Sequence, residues 1–155
     1  MNKKSFIFLV IFSLVTNVVF GMGESPNSEK MSELNLGYEI GQKVDDFEGL
    51  DSNGRRHRLS DYLGKIIVLE WKNHKCPFVI KHYKSMNMQL LQKKFTNKGI
   101  ICFSIISSSR GKQGYLSKAQ CNQIIEKEGS FATAVLLDVS GKLGRQFQAK
   151  TTPHM

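Results

Sequence analysis

Three short apolar runs predict the buried strands of this chain. Residues 66–71, 100–106 and 134–137 are rich in Ile, Val and Leu, and polar or glycine-containing segments bound each run. Near-continuous apolar runs of this length are typical of strands that are buried on both faces, as in a parallel sheet. The pattern therefore predicts three core strands between residue 66 and residue 137.

Helical patterns separate these runs. Residues 77–95 carry apolar side chains near helical spacing, and Pro77 suits a first turn, where a missing N–H costs no hydrogen bond. Residues 117–120 resemble a capping box that opens a second helix ending at Gly129, and 143–147 predict a short helical piece. Strands alternating with helices predict an α/β domain with a parallel-cored sheet. The apolar stripe of the first helix consists of Val79, Tyr83, Met86, Leu90 and Leu91.

A hairpin is predicted before the first of these strands. Residues 47–50 and 56–59 flank the turn-like segment Asp51-Ser52-Asn53-Gly54. The Asn-Gly pair favours a tight turn, because both residue types tolerate positive φ angles. The domain is therefore expected to begin with an N-terminal hairpin, and the parallel sheet follows it.

The first 37 residues have a different character. Lys3 and Lys4 precede an apolar run over 6–20, and small residues follow it. This order is typical of a secretory signal peptide, which we predict for residues 1–21, with a polar linker over 22–37. The protein is then secreted or periplasmic. The alternative is an uncleaved membrane anchor, although the run is shorter than the about 20 residues that usually span a bilayer.

The length of the chain indicates its number of domains, and its charge bears on the kind of partner that it can bind. The remaining residues, 38–155, are enough for one domain, and the whole chain has a formal net charge of +9. Such a charge can suit nucleic acid or an anionic membrane. The lysines look scattered, however, and no aromatic residues interleave with them as in a nucleic-acid platform. We therefore predict a solvated basic surface, no nucleic-acid partner, and membrane contact only if the signal segment stays uncleaved.

The three cysteines point to a reactive thiol. An odd number of cysteines in an exported chain leaves at least one thiol free or paired between molecules, and three do not make a disulfide framework. Cys102 lies mid-strand and Cys121 lies on the apolar face of its helix, so both are predicted to be core residues. The cysteines and the four histidines lack paired ligand spacing, so no metal site is predicted, and no cofactor is expected.

Cys76 has the best setting for nucleophilic chemistry. It follows a predicted strand and precedes Pro77, which places its thiol at a helix N-terminus. The helix dipole and free N–H groups there favour the thiolate, which is the nucleophilic form. Lys72, Lys75 and Lys81 add a cationic setting.

Four segments follow one another in a characteristic order: residues 40–47, residues 59–65, Asn73-His74-Lys75-Cys76-Pro77-Phe78-Val79 and Thr151-Thr152-Pro153. Together they resemble the redoxin branch of the thioredoxin-like superfamily, which includes the alkyl hydroperoxide reductase and thiol-specific antioxidant (peroxiredoxin-like) proteins. The first two segments resemble the approach to the first core strand, the third resembles the active-site motif of one such group, and the last stands where the family has its cis-proline. The resemblance implies a thioredoxin-like α/β fold, with helices flanking a parallel-cored sheet.

The resemblance also implies roles for particular residues. Cys76 is the expected nucleophile, and Glu70, six residues earlier, matches the buried acid that relays protons in thioredoxins. Cys121 is a candidate resolving thiol that would reach Cys76 only after local unfolding. The expected substrate groove consists of Pro77, Thr152 and Pro153, and the residues expected to tune the thiol are His74 and Lys75.

Departures from the family pattern limit the expected activity. Val79 replaces the second cysteine of C-x-x-C, while Leu69 and Asn73 replace the proline and the hydroxyl residue of typical peroxidases, and Pro153 falls near their arginine position. We therefore expect a single-cysteine oxidoreductase or antioxidant that acts on a peroxide or on a thiol or disulfide, with an external thiol as reductant. The alternative is a non-catalytic thioredoxin-like binding module or an inactive fragment.

The end of the chain carries one more expectation. In the thioredoxin-like fold, two strands and a helix follow the cis-proline, and the printed sequence holds only two residues after Pro153. The domain over 38–155 is therefore expected to lack that last strand pair and helix. Truncation and completion of the sheet by a partner are the two explanations that the sequence leaves open.

Overall fold

The computed structural model describes Tyr38 and residues 40–155, and the predicted signal peptide and linker lie outside the described residues. Two sheets are present in this part of the chain. The strands are β1 (Glu48–Leu50), β2 (Arg56–Arg58), β3 (Ile67–Trp71), β4 (Ile101–Ile106) and β5 (Ala134–Leu137). The helices are α1 (Pro77–Lys84), α2 (Asn87–Thr96), α3 (Lys118–Glu128) and α4 (Lys142–Gln146).

The predicted hairpin is confirmed. Strands β1 and β2 pair antiparallel, with Glu48 opposite Arg58. The turn between them is built around Asp51, whose carboxylate accepts hydrogen bonds from the backbone N–H groups of Asn53 (2.9 Å) and Arg55 (2.8 Å). A 3-10 turn over Leu59–Tyr62 then leads the chain towards β3.

The parallel sheet is also confirmed. Its strand order is β3-β4-β5, and both pairings are parallel. On the other side of β3 the chain returns after Pro153, and Trp71 and His154 form one antiparallel bridge with N–O distances of 2.8 and 3.2 Å. This order aligns the carboxyl ends of β3, β4 and β5 along one edge of the sheet.

The single helix predicted over 77–95 is wrong, because the chain breaks it into α1 and α2. Met86 adopts a left-handed conformation (φ 60°) between the two helices. The break changes which residues face the sheet, so Met86 and Leu90 are 48% and 62% exposed although the stripe placed them in the core. Three other side chains of α2 are buried in their place: Met88, Gln89 and Gln92.

Packing on both faces of the sheet forms the core. One face carries Phe103, Ile105 and Leu136 with Trp71 and Phe47. The other face carries two smaller clusters, one around Val79 and Tyr83 of α1 and one around Cys121 of α3. The capping box predicted for α3 is present, since Ser117 Oγ accepts from the Gln120 N–H and the Gln120 amide oxygen accepts from the Ser117 N–H. Among residues 40–155, no helix combines the length and the apolar character needed to cross a membrane.

Candidate active site

Cys76 lies at the edge of the sheet where the three parallel strands end. It is the residue that caps the N-terminus of α1, five residues beyond β3. The loop after β4 packs against the loop that carries Cys76, since a Cβ atom on Gly114 would lie 2.8 Å from the Asn73 side chain. At the same edge, Ser107 after β4 donates a hydrogen bond to Asp138 after β5 (2.6 Å). The carboxyl edge of a parallel sheet is where open α/β folds bind their ligands.

Thr152, near the end of the chain, contacts the Cys76 thiol. The Cys76 Sγ atom lies 3.1 Å from the carbonyl oxygen of Thr152, to which the neutral thiol donates. The peptide bond between Thr152 and Pro153 is cis, as the resemblance implied. Pro77 directly follows the thiol and is exposed. The structure thus brings all three predicted groove residues to Cys76, while their part in substrate binding stays a prediction.

Hydrogen bonding lowers the pKa of the Cys76 thiol. The largest contribution comes from the Thr152 side chain, and the backbone N–H groups of Val79 and Phe78 add to it, while burial opposes the shift. These two N–H groups belong to the first turn of α1, where backbone donors have no acceptor within the helix. A hydrogen bond to the charged form of a thiol favours the thiolate.

The cations expected to activate the thiol do not provide this shift. Lys72 is 2% exposed and points into the protein, where its ammonium group lies 2.6 Å from a carboxylate oxygen of Glu128 and 4.2 Å above the Tyr83 ring. Lys75 is exposed, and its backbone N–H donates to the Asn73 side chain (2.9 Å), which shapes the loop. The pKa of Cys76 is therefore lowered by hydrogen bonds to nearby groups and not by the lysine charges that the sequence suggested.

His74 contributes a neutral ring to this loop. Burial lowers its pKa, and the charge of Lys75 lowers it further, while Glu128 opposes the shift. Its Nδ1 atom is buried and has no hydrogen-bond partner among residues 40–155. The lowered pKa disfavours the charged imidazole beside Cys76, and the predicted tuning role stays untested.

Glu70 is a buried carboxylate with several donors. It is 3% exposed and accepts hydrogen bonds from the Tyr83 hydroxyl (3.1 and 3.2 Å), Gln92 Nε2 (3.2 Å) and Ser104 Oγ (2.9 Å). Burial raises the pKa of Tyr83, and the charge of Glu70 raises it further, so this hydroxyl keeps its proton and donates. The network joins β3, β4, α1 and α2.

The Glu70 network includes residues that sequence reasoning missed. The sequence pattern places Tyr83 only in an apolar stripe and gives no signal for Gln92. Ser104 gave the clearest signal, because it is a hydroxyl within an otherwise apolar central strand. The Lys72–Glu128 pair left no such signal, since 56 residues separate its members.

The other two thiols are buried, as predicted. Cys121 packs with Ile106, Leu116 and Val135, in a different cluster from Cys76, and burial raises its pKa. Burial also raises the pKa of Cys102. A resolving role for Cys121 would thus require local opening and stays a prediction. The described residues hold no cluster of three or more side chains of the metal-binding types.

Comparison with known proteins gives a consistent picture. A family model described as the AhpC/TSA family matches residues 40–155. No protein of curated function matches the sequence. A hypothetical protein from Sinorhizobium meliloti superposes with a TM-score of 0.65 and 17% identity, over 76% of this chain and 63% of that one. The chain thus spans less than two thirds of that protein's length.

Two further similar structures are those of a thioredoxin and a disulfide oxidoreductase. The exposed lipoprotein thioredoxin of Streptococcus pneumoniae has a TM-score of 0.52 and 24% identity, over 70% of this chain and 77% of that one. A secreted disulfide oxidoreductase of Mycobacterium tuberculosis has a TM-score of 0.55 and 16% identity, over 69% of this chain and 71% of that one. At these identities the likeness establishes the thioredoxin-like fold.

Proposed function

The chain belongs to the AhpC/TSA family, and on that basis we propose that it is a thiol-dependent oxidoreductase of the redoxin type with Cys76 as its single nucleophile. The observation that carries the proposal is the setting of the Cys76 sulfur. It lies at the start of α1, 3.1 Å from the Thr152 carbonyl, and hydrogen bonds lower the pKa of its thiol. The buried thiols of Cys102 and Cys121 have raised pKa values and are poor competitors.

Disulfide exchange is the reaction that these residues support best. The Cys76 thiolate attacks one sulfur of a substrate disulfide and forms a mixed disulfide, and the other substrate sulfur leaves as a thiolate. An external thiol, as its thiolate, then attacks the mixed disulfide and releases the Cys76 thiolate. The first external thiol is now bonded to the remaining substrate sulfur. A second external thiolate attacks the first external sulfur, forms a disulfide with it and releases the substrate sulfur as a thiolate, so the substrate gains the two electrons that the two thiols lose.

Peroxide reduction is a weaker candidate. Attack of the thiolate on a peroxide would give a sulfenic acid and release water or an alcohol. Asn73 and Pro153 stand where typical peroxidases of the family carry a hydroxyl and a guanidinium for the peroxide. This chain lacks those groups at the matching positions, which favours a thiol or disulfide substrate.

Glu70 belongs to the proposed site through Tyr83. Its hydrogen bonds run to α1 and α2, and Tyr83 packs with Val79 in the cluster that Cys76 contacts. We propose that Glu70 positions α1 beneath the thiol. The relay of protons expected from the resemblance is the second role proposed for it.

A single-turnover measurement tests the nucleophile. The full chain is incubated with hydroxyethyl disulfide, and mass spectrometry follows the adduct on each cysteine. We expect the adduct on Cys76, loss of the reaction in Cys76→Ser, and little change in Cys102→Ser. A longer-lived adduct in Cys121→Ser would assign the resolving role to Cys121. Equal modification of all three cysteines in a folded sample would support the non-catalytic alternative.

Export is the proposed location of this activity. The pneumococcal and mycobacterial structures are described as an exposed lipoprotein and a secreted protein, and residues 1–21 carry the signal-peptide pattern. N-terminal sequencing of the mature protein should find a start between about Gly21 and Ser25. An intact Met1 in the membrane fraction would support the anchor, and an intact Met1 in the soluble cytoplasm would reject export.

A further inference from the structure

Acidic residues are absent from a long stretch that contains Cys76. Between Glu70 and Glu126 the sequence has no Asp or Glu, whereas it has ten Lys and Arg residues there. The stretch includes the Cys76 loop, α1, α2, β4 and the loop after β4. The net positive charge of the chain therefore comes from this stretch, and part of the stretch forms the candidate site.

Most of these cations have no acidic partner. Lys72 is paired with Glu128 inside the protein, but the other ion pairs of the described residues lie on the hairpin, where Glu48 contacts Arg56 and Arg58 and where Asp51 contacts His57. Asp138, at the same sheet edge as Cys76, accepts hydrogen bonds from Ser107 and from the Gly144 N–H. Asp138 is 6% exposed and forms no ion pair with the surface cations of the described residues.

Four of the unpaired cations belong to α1 and to the two loops that meet at the edge where Cys76 lies. Lys75 precedes the thiol, and Lys81 lies on α1 just over one turn after it; both are exposed. Arg110 and Lys112, also exposed, belong to the loop after β4, whose Gly114 packs against Asn73. We call these four residues the cationic rim.

An exposed aromatic residue lies on α1 between Cys76 and Lys81. Phe78 follows Cys76 by two residues and is 69% exposed. Lys81 lies three residues further along α1, a spacing that makes two side chains neighbours on a helix surface. A ligand at this surface would gain apolar contact from Phe78 and charge attraction from the rim. Aromatic residues are enriched at the contact surfaces of proteins.

We propose that the cationic rim and Phe78 dock an acidic polypeptide, whose disulfide is the substrate of Cys76. The inference rests on the proposed function and specifies its substrate class. A polypeptide fits better than a nucleic acid, because it can offer a disulfide, an apolar side chain and carboxylates together. The exchange step is the one described above, in which the Cys76 thiolate bonds to one substrate sulfur and the other leaves as a thiolate.

The expected effect is mainly on the rate of association. Complementary charge speeds encounter by about 10-fold or more when salt is low. Salt screens such attraction, because the Debye length falls from about 30 Å at 0.01 M to about 3 Å at 1 M. The preference for acidic substrates should therefore shrink as salt is added, whereas the intrinsic reactivity of Cys76 should not.

Three matched peptides test the proposal on the full chain. Each carries one intramolecular disulfide and one Leu, and the flanking residues are Glu in the first, Gln in the second and Lys in the third. At low salt we expect the Glu peptide to exchange about 10-fold faster than the Gln peptide, and the Lys peptide to be slowest. The difference should disappear near 1 M salt.

Matched charge variants locate the surface. The double variant Lys81→Glu and Lys112→Glu should lose or reverse the preference. The control, Lys65→Glu with Lys98→Glu, makes the same change in net charge at the opposite edge of the sheet, before β3 and β4, and should keep it. Alkylation of Cys76 by the neutral reagent iodoacetamide should stay unchanged in both, which separates docking from thiol activation.

A binding measurement separates this inference from the proposed function. Fluorescence anisotropy of the labelled peptides with the Cys76→Ser chain reports docking without chemistry. A preference for the Glu peptide supports the surface even if the natural chain exchanges no disulfide, in which case only the proposed chemistry fails. Equal binding and equal rates for all three peptides would overturn the surface. The docking of an acidic polypeptide would also be overturned if the three peptides exchanged at equal rates and the chain bound vesicles rich in phosphatidylserine. That result would assign the cationic rim to an anionic membrane.

Discussion

Thr152 affects the ionisation of Cys76 in two opposite ways. The backbone carbonyl accepts a hydrogen bond from the neutral thiol at 3.1 Å, which favours the protonated form. The side chain provides the largest effect on the thiol, and it lowers the pKa. Replacing the Thr152 side chain is therefore the most direct way to change the reactivity of Cys76.

Replacing Thr152 by Val should slow Cys76 without changing the shape of the site. Valine keeps the backbone carbonyl and the branched outline but removes the hydroxyl. The pKa of Cys76 should rise, and alkylation by iodoacetamide at neutral pH should slow several-fold while the plateau rate at high pH stays the same. Thr151→Val at the exposed neighbouring position is the control. An unchanged rate in Thr152→Val would assign the shift to the N–H groups of α1 alone.

Glu70→Gln should separate the two roles proposed for this carboxylate. An amide in its place turns one acceptor oxygen into a donor that faces Gln92 and Ser104, and a buried polar group without a partner costs about 1–3 kcal/mol. Urea unfolding should show a loss of that size.

The pH dependence of exchange then distinguishes the roles. A positioning residue lowers the rate at every pH in proportion, whereas a proton relay changes the shape of the pH profile. Tyr83→Phe is the matched control, since it removes one donor to Glu70 and keeps the carboxylate. A changed profile in Glu70→Gln that is absent from Tyr83→Phe would establish the relay.

Among the structural elements, the strands follow the sequence pattern more closely than the helices. The runs around β3, β4 and β5 are short and nearly continuously apolar, which is typical of buried parallel strands, and the structure has a parallel strand at each of them. The boundary between α1 and α2 had no such signal, because neither glycine nor proline marks it. Met86 has a left-handed conformation at this break, and Tyr83 before it and Met88 after it belong to the same buried cluster.

Met86→Gly should therefore stabilise the protein. Glycine adopts positive φ angles without the steric cost that a side chain incurs, and such replacements are worth about 1 kcal/mol. Met86 is half exposed, so little burial is lost. Thermal and urea unfolding should show a higher free energy of unfolding. Leu90→Gly, at an exposed position inside α2, should lower it by about 1 kcal/mol, and a destabilised Met86→Gly would contradict the prediction.

At the scale of the whole molecule, what the sequence reveals depends on how far apart the interacting residues are. The order of strands and helices, Cys76 after the first core strand and the cis-proline near the end are local signals, and the structure agrees with them. The Lys72 side chain is buried against Glu128, which lies 56 residues away in the sequence, and no local sequence pattern predicts this pairing. The charge asymmetry is visible in the sequence, but its meaning depends on knowing that its loops surround one thiol.

The most direct test of this account is the pH dependence of Cys76 alkylation in the folded full chain. Iodoacetamide reacts with the thiolate, and mass spectrometry resolves the rate at each of the three cysteines. Because hydrogen bonds lower the pKa of Cys76, its rate should reach half of its plateau below the ordinary cysteine value of about 8.5, and Cys102 and Cys121 should stay slow until strongly alkaline pH. A midpoint for Cys76 at or above that value, or equal rates at all three thiols, would contradict the assignment of Cys76 as an activated nucleophile.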